Sequence, residues 1–335
     1  VTLLLRSNSA QLVAKLRDYF SHVPAGGATP DLEVVAIECA APETGLNFID
    51  WKREPGKTGR KDSYVDIPGG RVVRKVRTGM VFLQSPAQRI AAGPCLQYDN
   101  QVINFINAQY MNWLQQQDWQ ICHAAALGYR GNAFGIAGFS GGGKSTLMLH
   151  LLDQEAVSYL TNDRLFVRKS DGVTRACGIP KLPRVNPGTI VHNPRLHGLI
   201  PSGQRAALLA MPAAELWEIE DKYDVHVEQV YGEDRIMTEA PLAGFLVLNW
   251  QRDSEAGLEL NSVDLAQRRD LLGAIMKSPG PFYQYSDGSF HQDTAEFDEQ
   301  AYLEALQGVP VYEATGKVDF AALASLFLAD ILERG

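Results

Sequence analysis

The first third of the chain combines helical and strand-like spacings of apolar residues. In residues 9–20 the apolar side chains recur every three or four positions behind a Ser/Asn cap, which predicts an amphipathic helix. Residues 32–37 and 72–83 are rich in Val, Ile and Leu, with a turn near Gly79 in the second segment, and this pattern predicts strands. We therefore expect a smaller α+β N-terminal domain over residues 1–116.

The pattern changes after a predicted helix over residues 100–117, whose apolar residues form a single stripe. Apolar runs of strand length then follow at residues 121–129, 133–137, 158–167, 245–248 and 309–312. Helical spacing is found at residues 147–152 and 320–332. Strands that alternate with helices are typical of α/β nucleotide-binding cores. We therefore expect a second, α/β domain over residues 117–335, with a C-terminal strand and helix added to its core.

The composition is that of a globular protein and excludes several classes of partner. Hydrophobic residues make up 45% of the 335 residues and charged residues 21%, which is enough apolar material for a sizeable core. The formal net charge of -8 lacks the positive field that general nucleic-acid binding requires. No apolar run reaches 18 residues and the four cysteines form no CxxC pair, so we expect no membrane span and no zinc site. A soluble, cytoplasmic protein is expected.

Residues 138–145 read Gly-Phe-Ser-Gly-Gly-Gly-Lys-Ser and satisfy the Gly-x4-Gly-Lys-Ser spacing of a P-loop. An apolar strand precedes them and a helical segment follows, as this motif requires. Glycines let backbone N–H groups turn onto phosphate oxygens, while the following helix directs its positive end at the same anion. We therefore predict that ATP is bound by Gly138, Ser140, Gly141, Gly142, Gly143, Lys144, Ser145 and Thr146.

Within this loop the chemistry assigns separate tasks to two side chains. Lys144 is predicted to reach the β- and γ-phosphates, and the hydroxyl of Ser145 is placed to ligate Mg²⁺. A P-loop determines nucleotide binding but not the reaction. No Asn-Lys-x-Asp signature for guanine is present, so a GTPase is not favoured.

The segments on either side of the loop resemble the core of the HPr kinase/phosphorylase family. The residues that carry this resemblance are 122–127, 134–144 and 160–165. In that family a histidine-containing strand precedes the P-loop, and a strand that ends in two aspartates follows it at a similar separation. The resemblance covers about residues 120–167 well and continues more weakly to Trp250. Three further segments resemble the divergent branch called HPr-kinase-related kinase B, namely residues 62–66, 79–80 and 181–189.

The resemblance implies a P-loop nucleotide-binding core of the HPr kinase type and roles for individual residues. His123 matches the family's histidine near the transferred phosphate, and Asp163 matches the second aspartate, associated with Mg²⁺ and the acceptor. The alternatives are a histidine that only fills the core and an aspartate that only forms a turn. Arg184 lies in a proline-rich loop with Lys181, and a stiff loop of this kind could hold phosphates and stabilise the transition state. Its alternative is an ordinary surface loop.

Two departures from the family pattern limit what can be carried over. Asn162 stands where the family has its first aspartate, and an amide cannot accept the proton of a hydroxyl acceptor. We find no Glu-Arg-Gly match downstream of Gly178, so reverse phosphorolysis of a phosphoprotein is not expected.

The predicted reaction is therefore Mg²⁺-dependent transfer of the ATP γ-phosphate to a hydroxyl group. Residues 215–234 combine many carboxylates with Trp217 and Tyr223, which would suit a small cationic acceptor such as an amino sugar, or simply form a solvated acidic face. A protein kinase acting on a partner's serine is the first alternative. A non-catalytic ATP sensor, favoured by Asn162, is the second. The sequence is compatible with a homo-oligomer.

Overall fold

Two units can be distinguished in the computed structural model, which describes residues 1–27, 29–53, 59–139, 141–219, 221–251 and 253–332. The first unit contains Val1–Asp118 and Ser278–Phe297. The second unit contains Trp119–Lys277 and Asp298–Gly335. None of the helices in the described ranges combines the length and the apolar character needed to cross a bilayer.

The first unit is built on one sheet with two helices. Its elements are β1 (Leu3–Ser7), α1 (Ala10–Tyr19), β2 (Leu32–Glu38), β3 (Ile49–Asp50), β4 (Asp62–Ile67), β5 (Gly70–Lys75), β6 (Val81–Gln84), β7 (Arg89–Gly93) and α2 (Asp99–Gln115). The sheet has seven strands in the order β1-β2-β7-β6-β5-β4-β3, of which β1, β2 and β7 are parallel neighbours. Helix α1 begins where the Ser9 hydroxyl accepts a hydrogen bond from the N–H of Leu12 at 3.2 Å, the cap that its sequence predicts.

A later segment of the chain, Ser278–Phe297, completes the core of this unit. Phe282 packs edge-on against Phe82 of β6, with ring centroids 5.6 Å apart, and against Phe105 of α2 at 5.1 Å. All three rings contribute to the apolar core between the sheet and its helices. The division of the chain expected from the sequence, after residue 116, did not include this return.

Arg71 of β5 binds the same segment through hydrogen bonds. Its side chain is fully buried, and it forms a two-pronged ion pair with Asp66 at 2.6 and 2.9 Å. The guanidinium also donates to the carbonyl oxygens of Pro281 and His291, at 3.3 and 2.7 Å. Three aromatic rings face its terminal carbon within 6 Å, those of Trp51, Tyr64 and Phe290. Arg71 therefore connects the sheet of the first unit to the returning segment.

The second unit has more elements, beginning with a run of short strands. These are β8 (Gln120–Cys122), β9 (Ala124–Tyr129), β10 (Asn132–Gly138), α3 (Lys144–Leu151), β11 (Val157–Thr161), β12 (Leu165–Ser170), β13 (Val173–Cys177) and β14 (Arg184–Val185). The middle of the unit contains α4 (Pro187–His192), α5 (Ser202–Leu209), α6 (Ala213–Glu218), β15 (Tyr223–Asp224), α7 (Val227–Tyr231) and β16 (Glu239–Leu248). It ends with β17 (Glu259–Val263), α8 (Leu272–Ile275), α9 (Glu299–Leu306), β18 (Val311–Thr315) and α10 (Phe320–Leu326).

Most of these strands form one nine-stranded mixed sheet. Its main path runs β11-β9-β10-β16-β13-β12-β8, and β18 pairs with β16 and β17 beside it. Strands β10, β16 and β18 are parallel neighbours at its centre. One face of β10 and β16 packs on α3 and α10 through Phe134, Ile136, Leu246 and Leu248. The other face packs on α8 and α9 through Ala133, Ala137, Phe245 and Val247. Both faces are therefore buried, as is usual for parallel strands, and the α/β class predicted from the sequence is confirmed.

Two segments predicted as single strands are each interrupted at a polar position. The prediction of one strand over residues 121–129 is wrong, because β8 pairs with β12 whereas β9 pairs with β10 and β11. His123 lies at this change of partner, and its N–H donates to the carbonyl of Ile275 at 2.7 Å. The strand predicted over residues 158–167 is divided in the same way, since β11 pairs with β9 and β12 pairs with β8 and β13. Asp163 lies in that interruption.

Candidate functional site

Three loops that are distant in sequence meet at one edge of the second sheet. Strand β9 is antiparallel to both β10 and β11, and Ala124 at its start is paired with Ala137 near the end of β10. The start of β9 therefore lies beside the ends of β10 and β11. This arrangement places His123, Gly138 and Asp163 at the same edge. The carboxyl ends of β16 and β18 also lie there, and this is the edge at which α/β sheets bind ligands.

The predicted P-loop connects the end of β10 to the start of α3. Gly141 and Gly143 both have left-handed backbone conformations, with φ of 75° and 84°. A side chain at Gly143 would also place its first carbon 2.5 Å from the ring of Phe320, so only glycine fits there. The Lys144 ammonium donates to the carbonyl of Gly138 at 2.9 Å, which folds its side chain back across the loop.

Aromatic side chains from later segments support this loop. The indole N–H of Trp250, two residues after β16, donates to the carbonyl of Gly142 at 2.9 Å. Its ring packs edge-on against Phe320 of α10, with centroids 5.1 Å apart. Phe320 also stacks on His150 of α3, at 6.2 Å and an interplanar angle of 15°. The indole holds one loop carbonyl by a hydrogen bond, so Trp250 and α10 help to fix the conformation of the loop.

Three further residues were predicted to bind the nucleotide, namely Ser145, Thr146 and Ser140. Ser145 is half-buried in the first turn of α3. The hydroxyl of Thr146 is 2.9 Å from that of Thr189 in α4, and this contact connects two helices. Ser140 lies outside the described residues, so its predicted part in phosphate binding stays a prediction.

Asp163 has basic groups on both of its carboxylate oxygens. Nε2 of His123 lies 3.2 Å from Oδ1, and the guanidinium of Arg164 lies 2.7 Å from Oδ2. The ammonium of Lys277 is 3.8 Å from the same Oδ2, and its side chain is only 10% exposed. The carboxylate itself is 44% exposed. Asp163 is thus reachable from solvent while a buried lysine and an arginine face it.

These contacts change the proton affinities of both predicted catalytic residues. Partial burial of Asp163 opposes its ionisation, but Arg164, Lys277 and the hydrogen bond from His123 outweigh it and hold its pKa well below the usual value. The bond to Asp163 favours protonated His123, yet burial and the charges of Lys277 and Lys144 outweigh that bond and lower the pKa of His123. At neutral pH the pair is therefore a carboxylate and an uncharged imidazole. The effect of Lys144 on His123 also shows that the P-loop lysine is within electrostatic range.

The proline-rich loop that contains Lys181 and Arg184 lies within electrostatic range of Asp163. The carbonyl of Lys181 accepts a hydrogen bond from the Tyr159 hydroxyl at 2.6 Å, which fixes the loop to β11. Burial first, and then the charges of Arg164 and Arg184, lower the pKa of the Lys181 amine to about 8, against the influence of Asp163 and Asp224. Arg184, in β14, lies 3.2 Å from a carboxylate oxygen of Asp224 in β15. Lys181 therefore links Arg184 electrostatically to the Asp163 cluster.

The donor atoms around Asp163 fit a magnesium ion that arrives with a nucleotide. Among the described ranges, no group of three or more His, Cys, Asp or Glu side chains could hold a metal. Mg²⁺ is commonly bound through one or two protein carboxylates together with substrate phosphates and water. Asp163 is ionised, and the buried Oδ1 of the neighbouring Asn162 accepts no hydrogen bond in the described structure. Both are oxygen ligands of the type that Mg²⁺ prefers.

Several residues of this cluster were not predicted from the sequence. Arg164 directly follows Asp163, so its position next to the predicted acid was the one available signal. Lys277 is more than a hundred positions further along the chain, in a region without a clear apolar period. From the sequence, Trp250 was only the point at which the resemblance ends, and Phe320 was only part of a predicted C-terminal helix. Neither was assigned to the site.

Comparisons with known proteins find similarity among solved structures. No protein-family model matches the chain, and no curated protein matches it. Among solved structures, that of an Hpr(Ser) kinase/phosphatase from Coxiella burnetii is similar, with a TM-score of 0.31 and 11% sequence identity. The match covers 64% of this chain and 92% of that chain.

Proposed function

We propose that this protein is an ATP- and Mg²⁺-dependent kinase that transfers the γ-phosphate to a hydroxyl group of a small molecule. The observation that carries the proposal is the meeting of the P-loop with the His123–Asp163 pair at one edge of the sheet. A loop that binds phosphates lies beside groups able to orient and deprotonate an acceptor. This combination is what phosphoryl transfer requires, because its catalysis consists mainly of positioning and charge stabilisation.

Each residue of the loop has a defined task in this proposal. The backbone N–H groups of Gly141 and Gly143 and the N-terminus of α3 bind phosphate oxygens, whereas the Gly142 N–H donates to the Phe139 carbonyl at 2.9 Å. Lys144 leaves the Gly138 carbonyl, which it contacts at 2.9 Å, to reach the β- and γ-phosphates. Ser145 and Asp163 hold Mg²⁺, which neutralises charge on the phosphates when bound. The branch of the HPr kinase family predicted from the sequence remains a proposal.

The two catalytic candidates divide the work on the acceptor hydroxyl. Asp163 is a weak proton acceptor, since its neighbouring cations hold its pKa well below the usual value. His123 is uncharged at neutral pH, and its Nε2–H points to Asp163 at 3.2 Å. That tautomer leaves Nδ1 with a lone pair that can take the proton of the hydroxyl. His123 is therefore the proposed base, and Asp163 orients it.

The amino-sugar acceptor predicted from residues 215–234 fits this site poorly. Glu220 lies outside the described residues. The described acids of the segment are mostly exposed, and Asp224 is the one that forms an ion pair with Arg184. The groups nearest Asp163 are positively charged, and these would repel an ammonium. The class of acceptor is taken up again below.

The proposal is tested by following ADP release from MgATP with a panel of small hydroxyl compounds and with a mixture of candidate partner proteins. Lys144→Ala should lower the rate by about 10²-fold or more, because one positive charge on the transition state is lost. Lys169→Ala is the matched control, since that lysine lies on β12 and donates to Gln307 instead. Wild-type turnover by Lys144→Ala would contradict the proposal.

The same assay separates the two alternatives. ATP binding without consumption in the presence of any acceptor would favour the sensor, for which Asn162 in place of an acid is the supporting observation. Phosphate transfer to serine of a protein, with no small molecule accepted, would favour the protein kinase.

A further inference from the structure

Three cations from two separate loops lie together beside the proposed catalytic pair. Arg164 follows Asp163 directly, whereas Lys181 and Arg184 belong to the proline-rich loop. The Tyr159 hydroxyl near the end of β11 donates to the Lys181 carbonyl at 2.6 Å, which holds the proline-rich loop beside the turn that contains Asp163 and Arg164. Consistent with this placement, both arginines act on the charge of the Lys181 amine. Two carboxylates accompany them, Asp163 and Asp224. The chain as a whole carries a formal net charge of -8, so this local group of cations has the opposite sign to the net charge of the protein.

The two arginines retain donors for a ligand. A guanidinium has five N–H groups. In the part of the chain that the structure describes, Arg164 donates one hydrogen bond from its side chain, to Asp163. Arg184 likewise donates one, to the carbonyl of Lys222 at 3.2 Å. Its Nε lies 3.2 Å from Asp224 in an ion pair and is buried without a hydrogen-bond partner among the described residues. Both forks can therefore accept a further anion.

Clustered like charges cost free energy unless an anion lies between them. The carboxylates of Asp163 and Asp224 offset only part of the charge of these three cations. The proposed function assigns the phosphates of ATP to the P-loop amides, α3 and Lys144, so they do not account for this cluster. A second anionic group therefore has a place here, next to the position of the acceptor.

We infer that Arg164, Lys181 and Arg184 bind a phosphate group carried by the acceptor, so that the substrate is a phosphate monoester with a free hydroxyl. The inference rests on the proposed kinase function. The hydroxyl oxygen forms a new bond to the γ-phosphorus, and the bond from that phosphorus to the β–γ bridging oxygen breaks. The electron pair of that bond leaves with ADP, and the hydroxyl proton moves to Nδ1 of His123. The product is a bisphosphate.

A phosphate monoester suits the geometry because guanidinium groups bind its oxygens in pairs. Lys181, which is partly buried, adds a single point charge to the cluster. The hydroxyl would lie at the front, where the exposed part of Asp163 meets solvent. The arrangement orients a small molecule from its charged end and leaves the opposite end to react.

The first experiment measures anion binding without requiring turnover. Inorganic phosphate is titrated by calorimetry into the full chain saturated with Mg²⁺ and a non-hydrolysable ATP analogue. We expect phosphate to bind without displacing the analogue, and Arg184→Gln to weaken phosphate binding about tenfold through loss of one charge-assisted contact. Arg175→Gln is the matched control, since Arg175 forms an exposed ion pair with Glu239 on the same sheet and should leave phosphate binding unchanged.

The second experiment compares acceptors in pairs that differ only in the phosphate group, such as glycerol with glycerol 3-phosphate and glucosamine with glucosamine 6-phosphate. The phosphorylated member should have the higher kcat/KM, and Arg184→Gln should reduce this preference while the KM for ATP stays within twofold. Arg184→Lys should restore part of the preference, because it keeps the charge but loses the fork.

The outcomes separate the inference from the function on which it rests. Phosphate that displaces the ATP analogue, or that does not bind at all, overturns the inference, as does equal turnover of both members of each pair. Transfer only to neutral hydroxyl compounds or to a protein serine overturns it while leaving a kinase. Phosphate binding that depends on Arg184, in a chain that does not bind the ATP analogue, supports the anion site and contradicts the proposed function instead.

Discussion

Each unit of this protein contains an ion pair between an aspartate and an arginine, and the two pairs differ in what surrounds them. Arg71 in the first unit is fully buried, and its guanidinium is occupied by both oxygens of Asp66, two carbonyls and three aromatic faces. In the described part of the second unit, Arg164 donates one side-chain hydrogen bond, to Asp163, and is 29% exposed. Among the described residues, the first arginine makes four side-chain hydrogen bonds from its five N–H groups, and the second makes one.

This comparison distinguishes an ion pair that stabilises the fold from one that can act on a ligand. An arginine whose donors are all used holds segments together and has little left for a ligand. An arginine with donors left over, facing a half-exposed carboxylate, can rearrange around a substrate. The pattern of residues is the same in both cases, so the distinction depends on the surroundings of each pair. The following predictions test it, from the largest expected effect to the smallest.

The largest effect is expected from removing the charge of Asp163, the aspartate of the ion pair in the second unit. Asp163→Asn should lower the rate of phosphoryl transfer by roughly 10³-fold, because it removes the partner of His123 and a proposed metal ligand together. Asn162→Ala should cost far less, and Asp66→Asn should leave the rate within about twofold and act on stability alone. Steady-state kinetics on the three purified variants decide the matter. Equal small losses for Asp163→Asn and Asn162→Ala would mean that the catalytic acid lies elsewhere.

The second largest effect is expected from the Arg71–Asp66 pair of the first unit, and it should change the free energy of unfolding. Arg71→Met should destabilise the first unit by about 2–3 kcal/mol, since the contacts to Asp66 and to two carbonyls are lost while the apolar stem is kept. Urea unfolding followed by tryptophan fluorescence measures the change. Arg6→Met is a control on the same unit, because Arg6 forms an exposed pair with Glu33 and should have little effect. Similar midpoints for both variants would show that Arg71 is not the connection between the sheet and residues 278–297.

A single neutral hydrogen bond should give a smaller effect at the site. Trp250→Phe keeps an aromatic ring against Phe320 but removes the donor to the Gly142 carbonyl. Loss of about 1 kcal/mol of support for the loop should raise the KM for ATP about fivefold with little change in kcat. Trp217→Phe is the matched control, because Trp217 lies in α6 and its side chain is exposed. A fall in kcat without a change in KM would contradict a role in nucleotide binding.

The smallest effect is the response to pH, and here the two units should differ in kind. His123 must be uncharged to accept a proton, so the rate should fall as the pH drops through its pKa, which lies below 6.5. His291, beside Arg71, also has a lowered pKa, through burial first and the charge of Arg71 second. The unfolded chain then binds more protons than the folded one, so the stability of the first unit should decrease as the pH falls below about 6.5. His291→Asn should remove that slope without altering the pH–rate profile, and an unchanged slope would assign it to another group.

The sequence predicts the strand before residues 138–145 and the helix that follows them well, because this part of the fold is local. The strand ending at Gly138, the glycines and the helix from Lys144 are contiguous, and each has a signature of its own. The interruptions at His123 and Asp163 were not predicted, because the apolar runs around them look continuous. A change of strand partner depends on distant segments and leaves no mark in the local pattern.

The positive charges around the site could not be predicted from the sequence either. Lys277 reaches Asp163 only because the chain from β17 to α8 returns to the sheet edge. The acidic composition of residues 215–234 pointed to a cationic acceptor, yet tertiary structure brings Arg164, Lys181 and Arg184 together instead. Composition over a segment does not reveal which charges face a site.

The return of residues 278–297 to the first unit has a consequence for how the protein is made. Phe282 completes the core of the first unit and Arg71 finds two of its acceptors in this segment, yet the ribosome synthesises it after nearly all of the second unit. During translation the first unit must wait with an unfinished core for the time that about 160 residues take to emerge, roughly 8–30 s at ordinary rates. The second unit is the later one in the sequence, but most of its sheet can form before the first unit closes.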